Sequence, residues 1–231
     1  MEKVSSLILI GTVHRDPYGY KKLFHLLSEI KPKIITVEIS SYSLSFRAKY
    51  VPEIRRTLRE NLRRMKNEDG LSLKEIISHG AIMSIFCLLK DPFEWRAAES
   101  YAQMSNAYLF DIDLSIYAQE KLTYLTELVS LENLKSLNKL STISFFEEIS
   151  AQYAKAKHLF QNPPKIWPVA KEILEREIYM AEKIRQIFKS NEGVIFCHIG
   201  GWEHLLERPD GKSLFHLLQD LNPQRILLPN Y

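Results

Sequence analysis

The chain has 231 residues, a length that suits one α/β domain with an insertion and is short for two full domains. A hydrophobic fraction of 45% and a charged fraction of 26% are typical of globular proteins and exclude a disordered or fibrous chain. The net charge of +3 is small, so the composition gives no reason to expect a nucleic-acid partner.

The charge is concentrated in one segment. Residues 47–66 contain eight Lys or Arg against Glu53 and Glu60, which makes this stretch +6. We interpret it first as the solvated face of a helix, with an acidic partner as the alternative. No aromatic side chain interrupts Arg55–Lys66, which argues further against a nucleic-acid surface.

Cys87 and Cys197 lie far apart among apolar residues, which favours free thiols in a reducing compartment over a disulfide. The sequence begins without a signal-peptide pattern, and the apolar run at 81–89 is less than half of a membrane span. We therefore expect a cytoplasmic protein without a membrane span.

The first third of the sequence predicts a βαβ unit. Val4–Ile10 is a short apolar run that predicts a buried strand, and Ile34–Ile39 predicts a second one. Between them, Asp16-Pro17 predicts a helix start, leucines at helical spacing continue to about Ile30, and Lys31-Pro32 predicts its end. The two strands should then be parallel neighbours.

The rest of the sequence alternates helical and strand patterns. Helices are predicted over 50–90, Phe93–Ser105, 115–160 and Val169–Lys189, and strands over Ala107–Ile112, Gly193–His198 and Arg225–Leu228. Together these elements predict an α/β fold with a mainly parallel central sheet of about five strands and helices on both faces. We expect one domain over 1–231, with a helical insertion at about 114–165.

Two Gly-x-x-His tetrads follow predicted strands at opposite ends of the chain. They are Gly11-Thr12-Val13-His14 and Gly201-Trp202-Glu203-His204. Ligands of open α/β sheets bind beyond the carboxyl ends of the strands. His14 and the strand-two Glu38 should therefore meet at one edge of the sheet, where a buried glutamate needs a cationic partner.

Four blocks in this order resemble the TraB/PrgY family, within the broader group of Tiki proteins and erythromycin esterases. They are Ile8–His14 (ILIGTVH), Lys31–Glu38 (KPKIITVE), Glu94–Ala98 with Leu109–Asp113 (EWRAA and LFDID), and Glu175–Ala181 with Gly201–His204 (EREIYMA and GWEH). The chain departs from the family pattern at Tyr42 and at Ile112-Asp113, where the family usually has arginines, and it lacks the family's C-terminal membrane region. Arg47 or Arg15 are the candidates to replace those arginines.

The resemblance implies a site at the sheet edge. His14, Glu38 and His204 are predicted to bind a divalent metal such as Mn, Co or Zn, as proposed for Tiki-like relatives. The predicted catalytic residues are Glu94, Asp111, Glu175, Arg176 and Tyr179, with Glu94 or Asp111 as general base and Arg176 with Tyr179 as oxyanion or carboxylate contacts. The predicted substrate-binding residues are Gly11, Thr12, Arg47, Gly201 and Trp202.

Structural roles compete with these assignments. His14 can be a loop histidine bonded to backbone, Glu38 can form a buried ion pair with Arg176, and His198 can be a core residue or a substitute ligand. Asp111 can cap the helix that follows it, and Glu175 can be a solvated helix charge.

The predicted function is a metal-assisted hydrolase acting on a peptide or small-molecule ester. One alternative is a metal-independent esterase with His14 as general base, and another is a PrgY-like protein that binds or sequesters a peptide without cleaving it. A haem or metal-carrier role is a third. The oligomeric state does not follow from the sequence.

Overall fold

The computed structural model describes residues 6–70, 72–140, 144–191 and 193–229. Five parallel strands form one sheet in the order β3-β2-β4-β1-β5. The strands are β1 (Ser6–Thr12), β2 (Ile34–Val37), β3 (Tyr108–Asp111), β4 (Ile195–Gly201) and β5 (Gln224–Leu227). The predicted α/β fold with a parallel five-stranded sheet is confirmed. Val4, where we predicted the first strand to begin, lies outside the described residues.

Eleven helices are seen among these described residues. They are α1 (Gly19–Ile30), α2 (Ser41–Asp69), α3 (Leu73–Ser78), α4 (Gly80–Leu88), α5 (Phe93–Ser105), α6 (Ser115–Thr123), α7 (Leu125–Leu128), α8 (Leu131–Asn138), α9 (Phe145–Gln161), α10 (Lys171–Lys189) and α11 (Leu214–Leu217). Short 3-10 helices cover Trp202–Leu205 and Gln219–Leu221. In this part of the chain, no helix has the length and hydropathy needed to cross a membrane.

The chain divides into two compact units. The first unit contains 1–41, 92–114 and 152–231 and holds the sheet. The second contains 42–91 and 115–151 and is helical. The second unit thus includes most of the predicted insertion at 114–165. It also includes the helices of 42–91, which the sequence pattern did not assign to the insertion.

In the first unit, side chains of β1 and β4 alternate between the two faces of the sheet. Leu7, Leu9 and Phe196 pack with Met180 and Ile184 of α10, and these residues are almost completely buried. Helices α1 and α5 pack against each other, and α5 also contacts β2 and β3. Burial of both faces explains the apolar runs that predicted the strands.

In the second unit, α2 has one apolar face and one basic face. Val51, Ile54, Leu58, Leu62 and Met65 recur at helical spacing and are buried in the unit's core. The exposed side carries Arg56, which pairs with Glu53, and Arg64, which lies 3.9 Å from Glu68. The basic segment is therefore a helix face with internal ion pairs.

Several predicted boundaries differ from the structure by a few residues. Helix α1 begins at Gly19 rather than at Pro17, because Asp16 turns the chain by accepting the backbone N–H of Tyr18. Helix α10 begins at Lys171 rather than at Val169. β1 and β4 extend into the two glycine tetrads, since Gly11 pairs with Gly200 and Thr12 with Gly201.

Candidate active site at the carboxyl edge of the sheet

The two glycine tetrads meet at the carboxyl ends of β1 and β4. The paired positions Thr12 and Gly201 are the last residues of their strands, so the chain leaves the sheet there on both sides. A Cβ placed on Gly201 would lie 2.8 Å from His14 Nε2 and 3.5 Å from Glu38 Oε2. His14 and Glu38 therefore converge on the same glycine, as their places after β1 and β2 predicted.

His14 is held by the buried carboxylate of Glu94. Its Nδ1 lies 2.8 Å from Glu94 Oε1, and the same oxygen accepts the hydroxyl of Thr12 at 2.9 Å. The side chain of Glu94 is 6% exposed, whereas that of His14 is 54% exposed. Partial removal from water lowers the pKa of His14, but the hydrogen bond and charge of Glu94 outweigh this and raise it above its ordinary value. Thr12 and Glu94 thus fix one side of the imidazole and leave Nε2 on the other.

Glu38 lies at the centre of a second cluster. Its Oε2 accepts the backbone N–H of Gly201 at 2.6 Å, and its Oε1 lies 3.0 Å from His204 Nε2. Arg176 donates to Oε1 of Glu38 and binds Asp113 through two nitrogens, each at 2.8 Å. The structure therefore contains the Glu38–Arg176 ion pair that was one of the two interpretations of Glu38.

Burial and charge act in opposite directions on Glu38 and His204. Burial disfavours the charged form of both groups, but nearby opposite charges outweigh this effect. His204 and Arg176 hold the pKa of Glu38 well below its ordinary value. Glu38 and Glu177 raise the pKa of His204 well above its ordinary value. His204 is thus an imidazolium that lies between the carboxylates of Glu38 and Glu177.

Glu177, on α10, was not among the predicted site residues. It is completely buried, its Oε2 lies 3.0 Å from His204 Nδ1 and accepts the N–H of Leu214, and its Oε1 lies 3.0 Å from Arg208. It shares the buried face of α10 with Met180, Ala181 and Ile184. A glutamate at an apolar position of an amphipathic helix is the signal that could have identified it. Arg208 and Asp113 had no comparable signal.

His198 is a buried neutral histidine next to this cluster. Its Nδ1 lies 3.0 Å from the hydroxyl of Thr36, and burial lowers its pKa to about 3. Its Nε2 has no hydrogen-bond partner among the described residues. A Cβ on Gly200 would lie 3.0 Å from that nitrogen and 2.9 Å from Glu38 Oε2, so His198 faces the same edge from inside the sheet.

Four other predicted residues have different surroundings. Asp111 accepts a hydrogen bond from the hydroxyl of Ser41, and Glu175 pairs with Lys171 at 3.4 Å. The ammonium nitrogen of Lys183 lies 5.5 Å from the ring centroid of Tyr179. Arg47 belongs to the second unit, where it donates to the carbonyl oxygens of Leu88 and Lys90. These contacts give each residue a local structural partner, and their predicted roles stay predictions.

Trp202 and Gly11 pack directly at the strand ends. Trp202 is 4% exposed, and a Cβ on Gly11 would lie 3.0 Å from its Cα. The ring of Trp202 meets that of Trp167 edge to face at 6.5 Å. Glycine at position 11 therefore lets the chain of Trp202 approach β1 closely.

Two of the three predicted metal ligands, Glu38 and His204, already use their donor atoms in contacts within the protein. Both nitrogens of His204 face carboxylates, and both oxygens of Glu38 have protein partners, whereas a metal-bound imidazole needs a nitrogen lone pair. Among the described residues, no cluster of three or more His, Cys, Asp or Glu has the arrangement of a metal site. In this arrangement the residues do not fit a three-ligand ion, so no catalytic step is derived through one, and the metal stays a prediction.

The chain was compared with family models, with curated proteins and with solved structures, and none of the three comparisons gave a significant match.

Proposed function

We propose that the first unit hydrolyses an ester or peptide bond, with His14 as the general base that takes a proton from the attacking water. The observation that carries this proposal is the bond between His14 Nδ1 and the buried Glu94, which leaves Nε2 on a half-exposed ring. An exposed imidazole that is oriented through one nitrogen, and whose other nitrogen has no hydrogen-bonded side chain, is the arrangement used by general-base histidines.

The reaction balances with the residues that the site provides. Water oxygen forms a bond to the carbonyl carbon while one water proton moves to His14 Nε2. The tetrahedral intermediate then expels the alcohol or amine, which receives that proton from the imidazolium. Glu94 holds the ring in the tautomer with hydrogen on Nδ1 and stabilises the imidazolium, as a carboxylate does for a catalytic histidine.

Arg176 remains the proposed contact for the developing oxyanion. Its Nε and Nη2 bind Asp113 and Glu38, which fix the plane of the guanidinium. Fixed donors stabilise developing charge better than mobile ones, because they need no reorganisation during the reaction.

The metal-assisted form of this hydrolase is the second proposal. A carboxylate on one nitrogen of a histidine also supports metal ligation at the other nitrogen. The ion would supply Lewis-acid activation of water or carbonyl. The resemblance to the TraB/PrgY family is compatible with both forms, since metal dependence is proposed for Tiki-like relatives and a resemblance to the erythromycin esterases allows a histidine base without a metal.

The test is hydrolysis of a panel of p-nitrophenyl esters and short peptides, followed by mass spectrometry of the products. The protein is assayed after exhaustive chelation and again after loading with Mn, Co or Zn and desalting. Turnover by the chelated protein supports the proposed general base. Turnover only after loading, with one equivalent of metal retained, supports the metal-assisted form. Peptides that bind tightly and are recovered intact would replace both with a peptide-binding role.

A further inference from the structure

Lys155 occupies an unusual position beside the candidate site. Its ammonium nitrogen lies 5.6 Å from the ring centroid of Trp167 and 5.7 Å from that of Trp202. A lysine within about 6 Å of an aromatic face is attracted to the ring, and here two indoles hold the same cation. The side chain therefore has a defined position although Lys155 is exposed.

Trp202, one of the two rings that Lys155 contacts, adjoins the strand end at which the proposed base lies. Trp202 directly follows Gly201, whose Cα hydrogens face His14 Nε2. On α9, Tyr153 lies two residues before Lys155 and donates its hydroxyl to Asp16 at 2.6 Å, in the loop that carries His14. The helix that presents Lys155 is thus anchored to the same loop as the histidine.

The other cations of this unit's site are already paired. Arg176 binds Glu38 and Asp113, Arg208 binds Glu177, and Lys22 binds Asp16 at 2.8 Å. Among the described residues, Lys155 forms no ion pair with a carboxylate, and its ammonium contacts the two indole rings. It is therefore available for an anion that arrives with a ligand.

The sequence around Lys155 is also positively charged. No Asp or Glu occurs between Glu148 and Glu172, whereas this stretch contains Lys155, Lys157, Lys165 and Lys171. Pro163, Pro164 and Pro168 restrict the segment that joins α9 to α10 and carries Trp167. The segment that carries Lys155 and Trp167 is therefore positively charged, and its prolines restrict its conformation.

We infer that Lys155, Trp167 and Trp202 form a subsite that binds a carboxylate group of the substrate. This inference rests on the proposed function, because it identifies the substrate as an ester or peptide that carries a carboxylate near the bond that is cleaved. The ammonium binds the carboxylate, and the partly exposed ring of Trp167 contacts the carbon chain that links it to the reacting carbonyl, while the buried Trp202 holds the ammonium in place.

The subsite is tested by binding, independently of turnover. Two of the three tryptophans belong to it, so intrinsic fluorescence reports its occupation. The probes are glutaramate, which has a carboxylate, and glutaramide, its neutral analogue. We expect a saturable fluorescence change with glutaramate alone, and an affinity about tenfold lower in Lys155→Met, as for loss of one charge-assisted hydrogen bond. Lys157→Met, on the same helix, is the matched control and should change this affinity by less than about twofold.

Hydrolysis gives the second readout. Chelated wild type should hydrolyse the p-nitrophenyl monoester of glutaric acid faster than p-nitrophenyl butyrate. Lys155→Met should lose that preference, and Lys157→Met should keep it. Equal binding of the two probes, or glutaramate binding that Lys155→Met leaves unchanged, would overturn the subsite. If glutaramate binds through Lys155 but no ester is cleaved, the subsite holds and the proposed hydrolase fails.

Discussion

His14 Nδ1 lies 2.8 Å from Glu94 Oε1, although the two residues are 80 positions apart in the sequence. Glu94 begins the first turn of α5, and the strand end that carries His14 lies against this turn through the hydroxyl of Thr12. The carboxylate therefore sets both the position and the tautomer of the imidazole.

Glu94→Gln should lower the rate of hydrolysis by about 10²-fold or more, because an amide does not stabilise the imidazolium that forms when water loses its proton. Initial rates on the most rapidly cleaved ester of the panel measure the effect. The matched control is Glu29→Gln, since Glu29 pairs with the exposed His25 at 3.5 Å in a similar contact on α1. A Glu94→Gln rate within twofold of wild type would contradict the role of Glu94.

Glu177→Gln should destabilise the protein by about 3 kcal/mol or more. The substitution keeps the shape of the side chain but removes one of the two carboxylates that His204 faces and the nearer of the two that Arg208 faces, so that two buried cations lose a partner at once. Urea unfolding measures the change. Glu175→Gln, two residues earlier on the same helix, removes a partly exposed pair with Lys171 and should stay within about 0.5 kcal/mol of wild type. Equal losses for the two variants would show that Glu177 does not carry a buried network.

Gly200→Ala and Gly201→Ala should have different effects. The new Cβ at 201 would meet the end of the half-exposed His14, which can move, so activity should fall while stability changes by less than about 1 kcal/mol. The new Cβ at 200 would meet the buried His198 and Glu38, so stability should fall by about 1–3 kcal/mol. Activity and urea unfolding of both variants separate these outcomes, and a fully active Gly201→Ala protein would contradict the placement of His14.

His198 should make the fold sensitive to acid. Its pKa is about 3 in the folded protein and near 6.5 when unfolded, so the unfolded chain binds one more proton between these values. Stability should therefore fall with decreasing pH through this window, by up to about 1.4 kcal/mol per pH unit. Urea unfolding at pH 6.5, 5.5 and 4.5 measures the slope. His198→Asn should have a smaller slope, and identical slopes for the two proteins would contradict a neutral buried histidine.

The two thiols should differ in reactivity. Burial raises the pKa of Cys197 to about 12, whereas Cys87 is half-buried. A thiol that stays protonated and inaccessible does not react with iodoacetamide at pH 8. Mass spectrometry should find Cys197 unmodified in the folded protein and both cysteines modified in urea. Rapid modification of Cys197 in the folded protein would show that β4 is not in the core.

Much of the fold follows from local sequence pattern. Strands buried on both faces leave short apolar runs. Helix α5 was predicted with its observed bounds from Trp95, Ala98 and Ala102 on one face, and in the structure Pro92 precedes it and the αL residue Asn106 ends it. The same pattern did not predict two compact units, because the contacts that join 42–91 to 115–151 are distant in sequence. The extension of β1 and β4 into the glycine tetrads was also missed, since glycine usually marks a strand end.

The candidate site likewise has features that the sequence predicts and features that it does not. The meeting of His14, Glu38 and Gly201 follows from parallel strands, whose carboxyl ends share an edge. The bonds that decide their chemistry do not, because Glu94 and Glu177 reach the histidines through tertiary packing of α5 and α10. A helix pattern shows that Glu177 is buried, but not which cation it meets.

The most direct test of the proposed hydrolase is the initial rate of ester hydrolysis by metal-free wild type and metal-free His14→Gln, with circular dichroism to verify folding. We predict measurable turnover by wild type and a loss of about 10²–10⁴-fold in His14→Gln, as for removal of a general base. His25→Gln, the control histidine on α1, should retain the wild-type rate. Equal rates for wild type and His14→Gln, or turnover that disappears from wild type when metal is removed, would contradict a general base at His14.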